Sequence, residues 1–148
     1  MPTVDFCILP LRKVDLPAVL LVERACYPHP WNAEQFLQEL NNPVATVDLL
    51  WADGQLAGYI CFWLIAGEMQ ILNVATAPEW RRRGVAGRLL EHAIVRCHAV
   101  GLESAWLEVR AGNRAAIFLY HQHGFVADVT RKGYYRDGED ALLMVRRF

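Results

Sequence analysis

The stretch VATAPEWRRRGVAGRLL, residues 74–90, decides the fold of this chain. Its first residues end an apolar, strand-like run that must stop before Pro78, because proline lacks the N–H that a sheet requires. From Val85 onward the apolar residues repeat at helical spacing, through Leu89 and Leu90. Three arginines and two glycines therefore lie between a strand and a helix N-terminus, where unpaired backbone N–H groups favour a bound anion.

This arginine–glycine turn has three possible uses. Gly84 and Gly87 would let a ligand approach the backbone closely, while Arg82 and Arg83 would add charge beside a phosphate. A solvated basic turn that caps the helix is the plain alternative, and a nucleic-acid contact is the third. The sequence has neither a Walker A loop nor a GxGxxG loop, which excludes two common phosphate-binding motifs.

Composition narrows the choice. The chain of 148 residues carries 15 Lys and Arg against 16 Asp and Glu, so its net charge of −1 argues against a general nucleic-acid binder. Four widely spaced cysteines contain no CxxC pair, which favours reduced thiols and no metal site. The apolar run YICFWLIA is too short to span a bilayer, and the N-terminus lacks the pattern of a signal peptide. We expect one cytoplasmic domain over residues 1–148, with no membrane contact.

The remaining periodicity predicts a mixed α/β domain in the order β-α-α-β-β-β-α-β-α-β-β. Asp15 is expected to cap the first helix and Asn32 the second, with Gln35 completing a capping box. Asp53-Gly54 predicts a hairpin, and Asp137-Gly138 joins the last two strands. The order describes an antiparallel meander that leads into a parallel βαβ unit.

A second informative block is WLEVRAGNRAAIFLYHQHGF, residues 106–125. Alternation along its strand puts Glu108 and Arg110 on one face, so Glu108 either faces a site or pairs with Arg110 or a neighbouring strand. Tyr120 lies on the apolar face of the following helix, where a core tyrosine is the ordinary expectation. Asn113 can cap that helix, contact a ligand, or do both.

The first stretch resembles the acyl-CoA loop of the GCN5-related N-acetyltransferases, a family with the same order of strands and helices. Their pattern of Gln or Arg, x, x, Gly, x, Gly or Ala is matched here by Arg81, Gly84 and Ala86. The resemblance implies that the loop amides hold the pyrophosphate of acetyl-CoA, and that the preceding strand pairs with the pantetheine arm. It assigns to the cofactor Val74, Ala75, Thr76, Arg82, Arg83, Gly84, Val85, Ala86, Gly87, Asn113 and Tyr120.

The second block resembles the ribosomal-protein-alanine N-acetyltransferases, the RimI group of that family. HPW at residues 29–31 and RKGYYRDGEDALLM at residues 131–144 also match this group. The resemblance implies that Glu108 is the general base and Tyr120 the general acid. It also implies that the acceptor is the N-terminal alanine of a small-subunit ribosomal protein, with CoA as the released product.

The chemistry of acetyl transfer agrees with these roles. A peptide α-amine has a pKa of about 8, so a carboxylate is a sufficient base, and a phenol can protonate the departing thiolate. The N–H of Val74 or a near neighbour is the predicted donor to the developing oxyanion. No cysteine falls in the matched catalytic positions, which favours direct attack over a covalent acetyl-enzyme.

The acceptor side is less well defined by sequence. Trp31, Tyr134 and Tyr135 are predicted to shape a pocket for a small N-terminal residue, although Trp31 could instead be a hydrophobic staple for the second helix. Transfer to lysine side chains or small amines, and a non-catalytic acyl-CoA-binding module, stay open as alternatives. We expect no metal, no direct nucleic-acid contact, and a monomer or weak dimer.

Overall fold

The computed structural model describes residues 3–148, and its order of strands and helices is the predicted one. Within these residues the four helices are α1 (Leu16–Cys26), α2 (Ala33–Leu40), α3 (Val85–His98) and α4 (Arg114–Gln122). The seven strands are β1 (Phe6–Pro10), β2 (Ala45–Ala52), β3 (Gln55–Ile65), β4 (Glu68–Thr76), β5 (Ser104–Arg110), β6 (Val126–Arg131) and β7 (Ala141–Arg147).

All seven strands join one mixed sheet in the order β1-β2-β3-β4-β5-β7-β6. Only β4 and β5 run parallel, because α3 carries the chain back across the sheet between them. The neighbouring pairs are antiparallel, and Asp53 and Gly54 make the predicted hairpin with φ of 48° and 81°. The predicted meander and βαβ unit are therefore confirmed.

Helices cover both faces of the sheet, as two adjacent residues of β3 show. The Tyr59 ring packs edge-on against Phe36 of α2, with ring centroids 5.7 Å apart. The next position along the strand, Gly58, faces the opposite way and lies against Val85 of α3. Side chains of consecutive strand residues point to opposite faces, so α2 and α3 pack on different sides of β3.

Local signals at the helix ends are mostly confirmed. Asn32 and Gln35 form the predicted capping box, in which each side chain accepts the other residue's backbone N–H at 2.9 Å. The Asn113 side chain likewise accepts the N–H of Ala116 at 3.2 Å and caps α4. Both helices therefore begin at the residues that the sequence indicates.

The prediction that Asp15 caps α1 is wrong. A short 3-10 helix, Lys13–Asp15, precedes α1, and Asp15 already has helical backbone angles where α1 begins. Its carboxylate instead accepts the backbone N–H of Arg12 at 3.0 Å and the guanidinium of Arg12 at 3.1 Å. A residue whose side chain caps a helix usually has an extended backbone, and the 3-10 turn gives Asp15 a helical one, so its carboxylate bonds to Arg12 at the start of that turn.

Candidate active site

The predicted site residues meet where β4 and β5 separate. The two strands pair from Glu68–Ile71 with Ser104–Leu107 and then diverge. At the same point β4 contains a bulge at Leu72, since consecutive residues of β3 oppose Ile71 and Asn73. The divergence opens a cleft of about 630 Å³ between the strands. Six of the predicted site residues line it: Trp31, Val74, Glu108, Asn113, Tyr120 and Tyr135.

Glu108 lies in β5 on the face that the alternation predicts. Leu107 and Val109 are buried on the other face, while the side chain of Glu108 is 32% exposed. The nearest cation is Arg131, whose guanidinium lies 3.8 Å from Oε1, and not Arg110. Arg110 binds acids of the β6–β7 connection instead, so the alternative of a Glu108–Arg110 pair does not form, whereas Glu108 does have a cation from another strand, Arg131 of β6.

Tyr120 lies in α4 and reaches the cleft from the side of the core. Its ring packs edge-on against Phe125, with centroids 6.0 Å apart, and only 9% of the residue is exposed. Burial raises the pKa of Tyr120 to about 12. The hydroxyl therefore keeps its proton at neutral pH, as a group that donates a proton must.

The part of β4 beyond the bulge presents one edge to the cleft. The Tyr27 hydroxyl donates to the carbonyl of Val74 at 2.8 Å, and the Cys26 thiol donates to the carbonyl of Thr76 at 3.2 Å. Backbone groups of one strand residue share an edge, so the N–H groups of Val74 and Thr76 lie on this side too. Ala75 between them is buried and faces β3.

The N-terminus of α3 follows directly from this edge. Gly84 is its N-cap in the left-handed region, with φ of 76°, and the helix has no side-chain cap. Arg82 also has a positive φ of 64°. Arg82, Arg83 and Gly84 are all exposed. The uncapped N–H groups belong to the helix start that contains Val85, Ala86 and Gly87.

Two predicted residues on the acceptor side, Trp31 and Tyr135, line the cleft, and a third does not. Trp31 is also the hydrophobic staple, because its ring packs on Phe36 with centroids 5.2 Å apart. Tyr135 lies under the guanidinium of Arg110 at 3.9 Å. Tyr134 is half-exposed outside the cleft, beside Glu108, whose hydrogen bond and charge raise the pKa of Tyr134.

The structure adds residues that the sequence interpretation missed. Glu23 and Tyr27 from α1 and its C-terminus line the cleft, together with Asn73 from β4. One signal was present: Glu23 follows Val19 by four residues on the apolar stripe of α1, where a carboxyl group is unusual. Gly58 is another residue that the sequence interpretation missed. A Cβ there would lie 2.5 Å from the carbonyl oxygen of Ala75.

These features fit an acyl-CoA molecule by the chemistry of their donors. The β4 edge offers N–H groups to an amide-bearing arm, and the uncapped α3 N-terminus with Arg82 and Arg83 suits an anionic phosphate. Across residues 3–148, no three His, Cys, Asp or Glu side chains come together as a metal site. Every helix in that range is too short or too polar to cross a membrane.

Comparison with known proteins identifies the class. The acetyltransferase (GNAT) family model matches residues 16–125, and this chain belongs to that family of acetyl-CoA-dependent N-acetyltransferases. The chain is 34% identical over 137 residues to the ribosomal protein bS18-alanine N-acetyltransferase of Salmonella typhimurium, covering 90% of this chain and 92% of the relative. It is 30% identical over 155 residues to an N-alpha-acetyltransferase of Saccharolobus solfataricus, covering 96% and 93%.

A solved structure agrees with the fold. The ribosomal-protein-S18-alanine N-acetyltransferase of Escherichia coli superposes with a TM-score of 0.89 at 33% identity, covering 97% of this chain and 94% of that one. The predicted family and fold class are therefore confirmed.

Proposed function

We propose that this chain is a protein N-α-acetyltransferase that acetylates the N-terminal alanine of a small-subunit ribosomal protein. One observation carries the proposal: a single cleft brings Glu108 and Tyr120 from different elements to the free edge of β4. The relatives named above, which act on the alanine of a ribosomal protein or on protein N-termini, support the choice of acceptor. A ribosomal acceptor would place the reaction in the cytoplasm.

The donor half of the cleft would hold acetyl-CoA, which supplies the activated acetyl group when bound. The N–H groups of β4 at Val74 and Thr76 would bind the pantetheine arm, with Ala75 setting their spacing. The helix N-terminus formed by Gly84, Val85, Ala86 and Gly87 would bind the pyrophosphate, with Arg82 and Arg83 adding charge. Asn113 both caps α4 and lines the cleft, and it would contact the same molecule.

Three groups where the two halves of the cleft meet would carry out the reaction. Glu108 removes the proton of the α-ammonium, directly or through one water. The Val74 N–H donates to the carbonyl oxygen as negative charge develops there. Tyr120, still protonated because of its raised pKa, gives its proton to the departing sulfur.

The state of Cys26, the one cysteine that lines the cleft, favours direct attack over a covalent acetyl-enzyme. Cys26 donates its S–H to the Thr76 carbonyl at 3.2 Å. Burial raises the pKa of the Cys26 thiol, the opposite of what activates a nucleophilic cysteine. The thiol is thus occupied and protonated at neutral pH.

The acceptor pocket would be formed by Trp31 and Tyr135, with Tyr134 at its rim. Two aromatic walls suit a small N-terminal residue and leave the rest of the peptide in the open part of the cleft. Asp137 and Glu139 near the mouth both bind Arg110, at 2.9 and 3.0 Å. They therefore act first as turn-stabilising acids of the β6–β7 connection.

The test is acetyl-CoA consumption with short peptides that begin with Ala, Ser, Met or Leu, each with a free or a blocked α-amine. We expect turnover that requires the free amine and prefers alanine. Equal turnover of α-blocked peptides that contain lysine, or of free polyamines, would instead support transfer to side chains or small amines. Acetyl-CoA binding without turnover of any acceptor would support a binding module.

A further inference from the structure

Glu23 is the most buried carboxyl group of the cleft, with 1% of the residue exposed. It lies in α1, four residues after the fully buried Val19, so the helix directs it into the core and not to solvent. It nevertheless borders the cleft. A carboxyl group in such a place is costly unless hydrogen bonds satisfy its oxygens.

Three donors from three different elements meet these oxygens. The Tyr59 hydroxyl of β3 and the Asn73 side-chain amide of β4 donate to Oε1, the latter at 2.9 Å. The backbone N–H of Trp31 donates to Oε2 at 2.9 Å. Burial, with Glu23 as the next cause, raises the pKa of Tyr59, so that hydroxyl stays a donor. Glu23 thus ties the α1–α2 loop to two strands of the sheet.

The Trp31 ring is held from the other side by a chain of aromatic contacts. It packs on Phe36 at 5.2 Å, and Phe36 packs on Tyr59 at 5.7 Å. The hydroxyl of the same Tyr59 donates its hydrogen bond to Glu23. The Trp31 backbone is therefore linked through Glu23 to β3 and β4, while its ring is linked through Phe36 to β3.

The opposite end of the same loop is anchored independently. Tyr27 donates to the Val74 carbonyl at 2.8 Å, one residue beyond Asn73. Between Tyr27 and Trp31 the prolines at positions 28 and 30 restrict the backbone. The loop is therefore a stiff segment with two attachment points: Tyr27 is bonded directly to Val74 of β4, and Trp31 reaches β4 through Glu23 and Asn73.

We propose that Glu23 is a positioning residue that sets acceptor specificity, by fixing the Trp31 wall of the pocket at a set distance from β4. This inference rests on the proposed function. The acceptor residue must fit between Trp31 and the acetyl group on β4, so a fixed wall accepts alanine and excludes larger residues. A wall released from Glu23 can move outward and admit them.

The chemistry of the three donors separates Glu23 from an ordinary structural residue. The Trp31 N–H can only donate, and in Glu23→Gln the amide oxygen can still accept it. The Tyr59 hydroxyl can rotate to accept a hydrogen bond from the amide NH₂ group. The Asn73 amide can flip in the same way. Glutamine therefore preserves the attachment, whereas leucine, of similar size, removes it.

The experiment compares kcat/KM for Ala- and Leu-initiated peptides in the wild type, Glu23→Leu and Glu23→Gln. The ratio of the two values does not depend on the fraction of folded enzyme, so a loss of stability alone leaves it unchanged. We expect Glu23→Leu to lower the Ala-to-Leu preference about tenfold, within the range that one pocket wall can supply. Glu23→Gln should keep the wild-type ratio, and the dissociation constant of acetyl-CoA should stay within about twofold in both.

Glu39→Leu is the matched control. Glu39 accepts a hydrogen bond from the indole N–H of Trp63 at 2.6 Å and is not among the residues that line the cleft. Its replacement by leucine leaves an aromatic donor without its acceptor but keeps the contacts of the α1–α2 loop. Its Ala-to-Leu ratio should equal that of the wild type. If Glu23→Leu does not fold, Glu23→Leu/Tyr59→Phe removes one stranded donor and is measured in its place.

The outcomes separate the two proposals. A wild type that prefers Ala, with an unchanged ratio in the leucine variant, overturns the role of Glu23 and leaves the proposed function intact. A wild type that turns over no peptide N-terminus contradicts the proposed function and, with it, this role.

Discussion

The two halves of the cleft are built in different ways. The proposed donor half comes mostly from one continuous segment, residues 74–87, which offers backbone N–H groups at a strand edge and a helix start. The acceptor half is assembled from side chains far apart in sequence, such as Glu23 and Trp31 near one end and Tyr135 near the other. The proposed catalytic pair, Glu108 and Tyr120, lies between the halves.

The difference follows from what each half has to recognise. A phosphate and an amide arm are bound by backbone geometry, which a local glycine pattern can specify. A particular N-terminal residue is selected by the shape of a pocket, which requires walls from several elements. Variants in the donor half should therefore change the affinity for acetyl-CoA for all acceptors alike, and variants in the acceptor half should change the choice among acceptors.

The largest expected effect is at the point where the halves meet. Glu108→Gln keeps the size of the side chain but removes the proposed base, and Tyr120→Phe removes the proposed acid. Each should lower kcat about 10²- to 10³-fold, which lies within the usual range for a general acid or base. The dissociation constant of acetyl-CoA should change little, which titration calorimetry would measure.

Glu68→Gln makes the same chemical change at the far, paired end of β4 and should retain wild-type kcat. If Glu108→Gln matched this control, Glu108 would not be the base. Tyr120→Phe with wild-type kcat would return Tyr120 to the role of an ordinary core tyrosine.

The donor half can be disturbed through one glycine. A Cβ at Gly58 would lie 2.5 Å from the Ala75 carbonyl oxygen and 2.8 Å from Val85 Cγ1. Gly58→Ala must therefore displace β4 at the proposed pantetheine edge and α3 at its first residue. We expect the dissociation constant of acetyl-CoA to rise about tenfold or more, with a loss of about 1–3 kcal/mol in stability from overpacking.

Gly54→Ala is the control for this stability loss. Gly54 has φ of 81° in the β2–β3 hairpin, with open space around the missing Cβ, so alanine adds backbone strain without moving β4. It should lower Tm but leave acetyl-CoA affinity unchanged. Equal affinities for the two variants would show that the edge next to Gly58 does not bind the cofactor.

The same contrast explains how much of the molecule could be predicted from sequence. Gly84, Asn32 and Asn113 act within a few residues of their own position, and alternation in β5 is local as well, so their places were predicted correctly. Glu23 and Gly58 depend on contacts with distant parts of the chain: Glu23 with Tyr59 and Asn73, 36 and 50 residues away, and Gly58 with Ala75 and Val85. One sequence does not specify which distant strands meet, so the unusual place of Glu23 on the apolar stripe of α1 could not reveal its partners, and the role of Gly58 became visible only in the fold.

Asp15 shows that even local signals can compete. Its sequence context fits an N-cap, yet residues 13–15 form a 3-10 turn. In that turn the Asp15 carboxylate accepts a hydrogen bond from the Arg12 N–H and does not cap α1. Trp31 shows the reverse: it is the hydrophobic staple on Phe36, and it also lines the cleft in which the acceptor pocket is proposed. A structural role and a site position are compatible in one side chain.

The pH dependence of kcat offers a third test, aimed at the buried side of the catalytic pair. An ordinary tyrosine, with a pKa of about 10, would be only about one-quarter protonated at pH 10.5. Tyr120, whose pKa burial raises to about 12, stays almost fully protonated there. If Tyr120 is the general acid, the active form carries the proton, so the raised pKa extends activity to higher pH and kcat should hold its value to about pH 10.5.

Circular dichroism at each pH gives the control, because unfolding would also lower kcat. A fall in kcat centred near pH 10, with folded structure retained, would contradict the protonated role of a buried Tyr120.

The smallest expected effect compares two asparagines that cap helices on the two halves. Asn113 caps α4 and lines the cleft, whereas Asn32 caps α2 behind the acceptor loop. Each Asn→Ala change removes one cap bond and should cost about 1 kcal/mol of unfolding free energy, measured by urea denaturation. If Asn113 also contacts acetyl-CoA, only Asn113→Ala should raise the KM for acetyl-CoA, by about three- to tenfold for one lost hydrogen bond.

Aspartate separates the two roles of Asn113. Asn113→Asp keeps the oxygen that caps α4 but replaces the amide donor with a charge that repels the phosphates of CoA, so stability should recover while the KM for acetyl-CoA stays high. A KM that recovers together with stability would mean that the cap is the whole role of Asn113. The donor half would then bind acetyl-CoA through the backbone and the arginines of residues 74–87 without help from α4.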